Sequence, residues 1–310
     1  QADTENTNLY LGIAKINNVY GGGERASATT TNLQIENSDI GNVYGGSNIS
    51  GIVNTATINM TDGTVGTIYG GNNSGGTTNT SEITINNGVI DAIYGGGNKA
   101  TSTYTTININ NANVNNIYGG GNQAGLDTAT ITIGQGDIGN IYGGSNQSGN
   151  IVKTTINISN NPLISVDNIY GGNNKGGSTN DSTVDVRGGT IGNIYGGGNE
   201  AVVDMPNVQV QNATVNNIYG GGNMAGINGD TKVTIKNSNI NTNIYGGGNY
   251  GTVAGNTKVV ITSSTILGSA YGGGNGSSAI VDRNTEITVE GNTVIGSATS
   301  KAPHQGCLFG

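Results

Sequence analysis

The chain has 310 residues and a formal net charge of −8, with 57 Gly, 14 Tyr, 1 Phe, no Trp, 1 Cys and 1 His. So acidic and sparsely charged a chain lacks the basic stripe that a phosphate backbone requires, and nucleic acid is excluded as a partner. Its apolar runs fall far short of the roughly 20 residues of a membrane helix, and one cysteine with one histidine builds neither an intramolecular disulfide nor a Cys/His metal site; no cofactor is expected.

In chain order, residues 1–9 read as a polar N-terminal segment, and the opening at Gln1 without Met is expected of a processed protein or an excised segment. Residues 10–298 are a repeat. Tyr-Gly-Gly begins at Tyr20, Tyr44, Tyr69, Tyr94, Tyr118, Tyr142, Tyr170, Tyr195, Tyr219, Tyr245 and Tyr271, at spacings of 24 to 28 residues. Before each later tyrosine lies a period-two run such as Thr130-Ile131-Thr132-Ile133, which predicts a strand with one apolar face. In register, these runs give one aliphatic column through Leu33, Ile58, Ile83, Ile107 and Ile131, and a second two residues later. A third column follows a polar corner (Ile40, Val65, Ile90, Val114), and a fourth is the residue before each tyrosine. Residues 299–310 read as an irregular C-terminal tail.

Gly-Gly pairs, β-branched runs and Asn-rich corners leave no stretch with helical spacing. The fold expected is therefore all-β: a single parallel β-solenoid, right-handed, of about 11 coils of 24–28 residues. Each coil has room for three short strands, stacked about 4.8 Å from the next in a rod on the order of 50 Å long.

The corners carry their own columns. The two residues after each repeat tyrosine are Gly in every copy, which fits either positive backbone angles or close packing between coils. Four residues after the tyrosine, Asn48, Asn73, Asn98, Asn122, Asn146, Asn174, Asn199, Asn223, Asn249 and Asn275 predict an amide ladder, with Glu24 in the first copy. Six residues after it the chain is always Ala, Ser or Gly, as at a tight interior corner. For the tyrosines two readings stand. Period-two alternation turns Tyr44, Tyr69, Tyr94, Tyr118, Tyr142, Tyr170, Tyr195, Tyr219 and Tyr245 outward as an aromatic contact stripe. Alternatively the rings stack on one another and cover the glycine corner.

The run Gly189-Thr190-Ile191-Gly192-Asn193-Ile194-Tyr195-Gly196-Gly197-Gly198-Asn199 resembles the glycine-rich right-handed β-helix repeats of bacterial surface proteins and adhesins. The resemblance covers about residues 10–298. It implies an extracellular, cell-surface or secreted location, and host or bacterial glycans or surface proteins as partners. The function expected is a non-enzymatic structural or adhesive scaffold, the stalk or fibre-forming segment of a surface protein. The alternative is a polysaccharide-active or calcium-binding β-helix protein. Its carboxylates would be Asp181, Asp204 and Asp230, near one corner of three successive coils; corner aspartates supporting turns account for the same residues. His304 with Cys307 is the only other chemical pair, and it lies in the tail. Open strand edges at both ends of a solenoid further predict either head-to-tail self-association or membership of a longer rod whose neighbours cover the ends.

Overall fold

A computed structural model describes residues 3–296 and 306–310. Among these there is no helix: parallel strands stack in register as the coils of a β-solenoid, about twelve turns in all. The chain divides into two compact units, Gln1–Thr154 and Thr155–Gly310, with the strand Ile151–Ile158 at the division.

In the first unit each coil contributes two strands. The longer ones run Thr4–Gly12, Ala28–Glu36, Ile52–Met60, Thr77–Ile85, Thr101–Ile109 and Leu126–Ile133, each hydrogen-bonded in parallel to the next. The shorter ones end on the repeat tyrosine, from Lys15–Tyr20 to Gly136–Tyr142, and form a second sheet. The three-strand coil expected from the sequence appears in the second unit. There the tyrosine-bearing strand breaks in two, as Asn239–Ile240 and Ile244–Tyr245, then Thr265–Ile266 and Ala270–Tyr271. The break follows one extra residue between the two short strands: Val215 and Ile218 are three apart, whereas their partners Ile240 and Ile244 are four apart.

The register is that of the columns. Ile83 pairs Ile107, Ile107 pairs Ile131, Val208 pairs Val233, and Val233 pairs Val259. All four aliphatic columns point inward, and in internal coils their side chains are essentially inaccessible to solvent. Burial of each is worth about 2 kcal/mol. No side chain in these columns needs a polar partner, so the interior tolerates stacking without limit in either direction.

Stacking begins upstream of the residue-10 boundary. Thr4–Gly12 pairs with Ala28–Glu36, setting Leu9 on Leu33 and Leu11 on Ile35. This strand and Lys15–Tyr20 together make the coil that ends on the first Tyr-Gly-Gly. Inside the tail, Leu308–Phe309 pairs with Ala270–Tyr271. Leu308-Phe309-Gly310 thus takes the place that Ile-Tyr-Gly holds in earlier coils.

Candidate functional site

The invariant first glycine of the Tyr-Gly-Gly corner is explained by close approach. Its φ is not positive. A Cβ on Gly119 would overlap the carbonyl oxygen of Gly143 on the next coil and stand 2.9 Å from Ala129 Cβ. Gly95, Gly196 and Gly220 meet the same carbonyl one coil on. The second glycine faces the third corner residue of its neighbour, as Gly22 and Gly120 face Ser47 and Ser145.

That third residue defines two kinds of corner. Where it is Gly, the residue six after the tyrosine is Ala in five of seven copies, packed inside as at Ala100 and Ala201, with Gly251 and Ser277 in the other two. Where it is Ser or Asn, its side chain fills the corner instead. Ser47 Oγ donates to Ala26 O and Ser145 Oγ to Ala124 O, both at 2.8 Å. Asn72 Nδ2 donates to Gly51 O at 2.9 Å and Gly75 O at 3.1 Å. These corners need a glycine with positive φ seven residues after the tyrosine, at Gly51, Gly76, Gly149 and Gly177. The small residue six after the tyrosine is interior in most of the Gly corners, with Ala225 partly buried and Ser277 exposed, and is partly or fully exposed in the Ser or Asn corners, as at Ser50 and Ser148.

The asparagine ladder forms as expected. In the first unit Asn48 donates to Glu24 at 3.0 Å, Asn73 to Asn48 at 2.8 Å, Asn98 to Asn73 at 3.0 Å, Asn122 to Asn98 at 2.9 Å and Asn146 to Asn122 at 3.0 Å. In the second unit Asn199 donates to Asn174, Asn223 to Asn199, Asn249 to Asn223 and Asn275 to Asn249, at 2.8 to 2.9 Å. Most of these amides are half-buried. Asn122→Ala removes one bond given and one received, and is expected to cost about 1–2 kcal/mol by urea denaturation. A cost indistinguishable from zero would show that water replaces the ladder without loss.

Two further ladders escaped the sequence reading. Two residues before the tyrosine the chain is Asn in eight of eleven copies. Asn42 bonds Asn18 at 2.9 Å, Asn140 bonds Asn116 at 3.1 Å, and Asn217 bonds Asn193 at 3.0 Å. The signal was present in the same alignment of copies. The second is a column of buried hydroxyls two residues before the first aliphatic. Thr31 donates across the coil to Gly45 O at 2.5 Å, and Thr105, Ser182 and Thr257 donate to Gly119, Gly196 and Gly272 at 2.6 Å. Ala56, Ala129 and Pro206 interrupt this column, which hid it.

The tyrosines are stacked and covered, which corrects the outward stripe. Within each unit neighbouring rings lie 4.7 to 5.1 Å apart and within 10° of parallel. Tyr44, Tyr94, Tyr118, Tyr142, Tyr170, Tyr195, Tyr219 and Tyr245 are only 6–8% exposed, and Tyr69 is half-buried. Alternation fails to expose them because each ring face meets a neighbouring ring, and at Tyr94 and Tyr245 the hydroxyl also meets a side-chain amide. Asn146 Nδ2 donates to Tyr94 Oη, and Asn243 Nδ2 to Tyr245 Oη, both at 3.2 Å.

Burial, followed by neighbouring phenols, raises the phenol pKa of Tyr69 and Tyr195 above the usual 10, and that of Tyr219 to about 12. A folded-state pKa above the unfolded one means the folded chain holds its protons longer. This contribution is complete below pH 10 and is lost as pH climbs toward 12. Tyrosinate absorbance and β-sheet circular dichroism are expected to change together in that window. Full ionisation of the stack near pH 10 with the sheet intact would refute the coupling.

The three carboxylates are not brought together. Asp181 sits in register with Met205. Asp204 Oδ1 accepts from Asn228 Nδ2 at 2.7 Å, and Asp230 Oδ1 from Asn256 N at 2.6 Å. Asp181 and Asp230 fall in one column with Met205 between them, Asp204 falls in the neighbouring column, and Asp204 and Asp230 are each bonded to an amide of the next coil. Among the described residues, no group of three or more His, Cys, Asp or Glu side chains is placed to hold a metal. His304 lies outside the described residues, so its pairing with Cys307 is not placed; Cys307 N donates to Ser269 Oγ at 3.2 Å.

The first unit also carries an open, mostly polar groove of about 570 Å³ across successive coils. Its lining includes Asn37, Asp62, Asn87 and Asn111, together with Gly63 and Gly88. No protein-family model, curated protein or solved structure matches the chain.

Proposed function

We propose that the chain is a non-enzymatic extracellular scaffold, the stalk or fibre-forming segment of a bacterial surface protein with an adhesive role toward glycans or surface proteins. The observation that supports this reading is where the repeated residues go. Tyrosines, asparagines and invariant glycines are committed to contacts between coils, and the buried hydroxyls to a bond across their own coil, within each unit. A solenoid fold is compatible with such a scaffold, since added coils extend it without new chemistry. The surface left for a partner is the outward Thr/Asn/Asp lining of the corners, whose groove in the first unit suits a polyhydroxylated chain better than an apolar one.

Two measurements test the reading. Antibody raised to the chain is expected to label intact source cells, and the purified chain is expected to release no new ends from a panel of acidic and neutral polysaccharides. Labelling only after lysis would overturn the location. Depolymerisation lost in Asp204→Ala would overturn the scaffold in favour of an enzyme.

A further inference from the structure

Asparagine followed directly by glycine occurs three times in the chain, at Asn87-Gly88, Asn228-Gly229 and Asn275-Gly276. In such a pair the glycine nitrogen can attack the asparagine side-chain carbonyl, because glycine brings no Cβ to crowd the five-membered ring that forms. In a folded chain the outcome depends on what holds the two groups apart. All three asparagines are exposed, and each gives its amide to the preceding coil. Asn87 Nδ2 donates to Asp62 Oδ1 at 3.2 Å, Asn228 Nδ2 to Asp204 Oδ1 at 2.7 Å and Asn275 Nδ2 to Asn249 Oδ1 at 2.8 Å.

The glycine nitrogens differ. Gly229 N donates to Asp204 O at 3.0 Å and Gly276 N to Asn249 O at 2.9 Å, so both are pinned in the bonding between coils. Gly88 N has no hydrogen-bond partner among the described residues, and Gly88 lines the groove of the first unit. The corner also keeps this glycine in place. Its φ is +132°, and a Cβ there would stand 2.6 Å from Met60 Cε and 2.8 Å from Gly63 O, so no residue with a side chain takes its position without strain. Asp62-Gly63, one coil earlier in the same columns, is not equivalent. Gly63 N donates to Asp62 Oδ1 at 2.8 Å, and an ionised carboxylate is a poor electrophile.

We propose that Asn87 is a site of spontaneous deamidation, selected over Asn228 and Asn275 by the unbonded Gly88 nitrogen. Hydroxide takes the Gly88 amide proton, and the nitrogen forms a bond to Asn87 Cγ. The Cγ–Nδ2 bond then breaks, and Nδ2 takes a proton from water and leaves as ammonia. Water opens the resulting succinimide at either carbonyl, leaving an aspartyl or an isoaspartyl linkage; nothing is oxidised or reduced. Either product replaces the amide donated to Asp62 by a second carboxylate beside it, in a groove that already holds Asp39. The isoaspartyl product also adds one atom to the main chain just before the strand Val89–Tyr94.

The experiment ages the full chain in mildly alkaline buffer, folded and in urea, and follows each Asn-Gly pair by peptide mass spectrometry. Protein-isoaspartate methyltransferase labels the isoaspartyl product, and circular dichroism confirms that urea has removed the sheet. In the folded chain Asn228 and Asn275 must first lose a glycine hydrogen bond, so Asn87 is expected to convert at least about fivefold faster than either. In urea the three rates are expected to converge. Methyl labelling of the folded chain is expected at Asn87 first, and Asn87→Ser is expected to lose that early label. Folded-chain conversion at Asn87 no faster than at the other two would overturn the proposal. So would a ratio that urea leaves unchanged, since local sequence rather than the fold would then select the site.

Discussion

Tyr195→Ala is expected to destabilise the chain by about 3–5 kcal/mol, the range for deleting a large buried aromatic ring. The ring is 7% exposed and lies between Tyr170 and Tyr219, at 4.8 Å from each. Its loss therefore leaves a cavity and breaks two stacked contacts, and neither neighbour can close the gap while backbone ladders hold the coils at their spacing. Tyr195→Phe removes only the hydroxyl and is expected to cost under about 1 kcal/mol; Phe309 already stacks in that column with the same geometry. Urea unfolding of the two variants decides the matter. Equal losses would mean that the hydroxyl edge, rather than the ring, carries the stack.

The second large effect belongs to Gly119→Ala. Adding a methyl group to a well-packed interior costs about 1–3 kcal/mol and occasionally more. Here the obstacle is backbone, the Gly143 carbonyl of the next coil, with Ala129 Cβ at 2.9 Å on another side. Neither can rotate away, so the coils must separate locally and stretch the bond from Gly119 N to Tyr142 O, now 2.9 Å. A loss of about 3 kcal/mol or more is expected. Gly226→Ala is the matched control: its nearest obstacles are the Thr252 hydroxyl at 3.0 Å and the Thr252 carbonyl at 3.3 Å. It is expected to cost well under half as much, and a Gly119→Ala variant no less stable than Gly226→Ala would refute the close-approach account.

How much of this was legible follows from what repetition reveals. Eleven copies in one chain act as their own alignment, so the aliphatic columns, the parallel register and the Asn48-to-Asn146 ladder could be read without coordinates. The tyrosine orientation could not. Alternation predicts which side of the strand a side chain leaves from, but a long ring can turn along that side and be covered by its neighbours. The buried hydroxyl column stayed hidden because Ala129 and Pro206 serve in it as well as Thr105, small size being the shared requirement. The ends were obscured for the opposite reason. Leu308–Phe309 keeps the pairing with Phe309 in place of the tyrosine that makes the other copies visible, and in Thr4–Gly12 the pair Leu9 and Leu11 brackets a Tyr10 that belongs to no Tyr-Gly-Gly.

The two corner types have a consequence for how such a chain can change over generations. Each carries its own compensation: a Ser or Asn side chain comes with its positive-φ glycine, and a Gly comes in five of seven copies with an alanine six residues after the tyrosine. Because the second glycine of every corner presents no side chain, a coil is indifferent to which type follows it. Gly46 accommodates Asn72, Gly71 accommodates Gly97, and Gly120 accommodates Ser145. Unequal recombination that inserts or removes one whole coil therefore yields a sequence already compatible at both joints. A crossover inside a corner would instead part a side chain from the glycine it depends on. Selection is then expected to let the number of coils drift as a unit of inheritance while holding each corner together as one linked block.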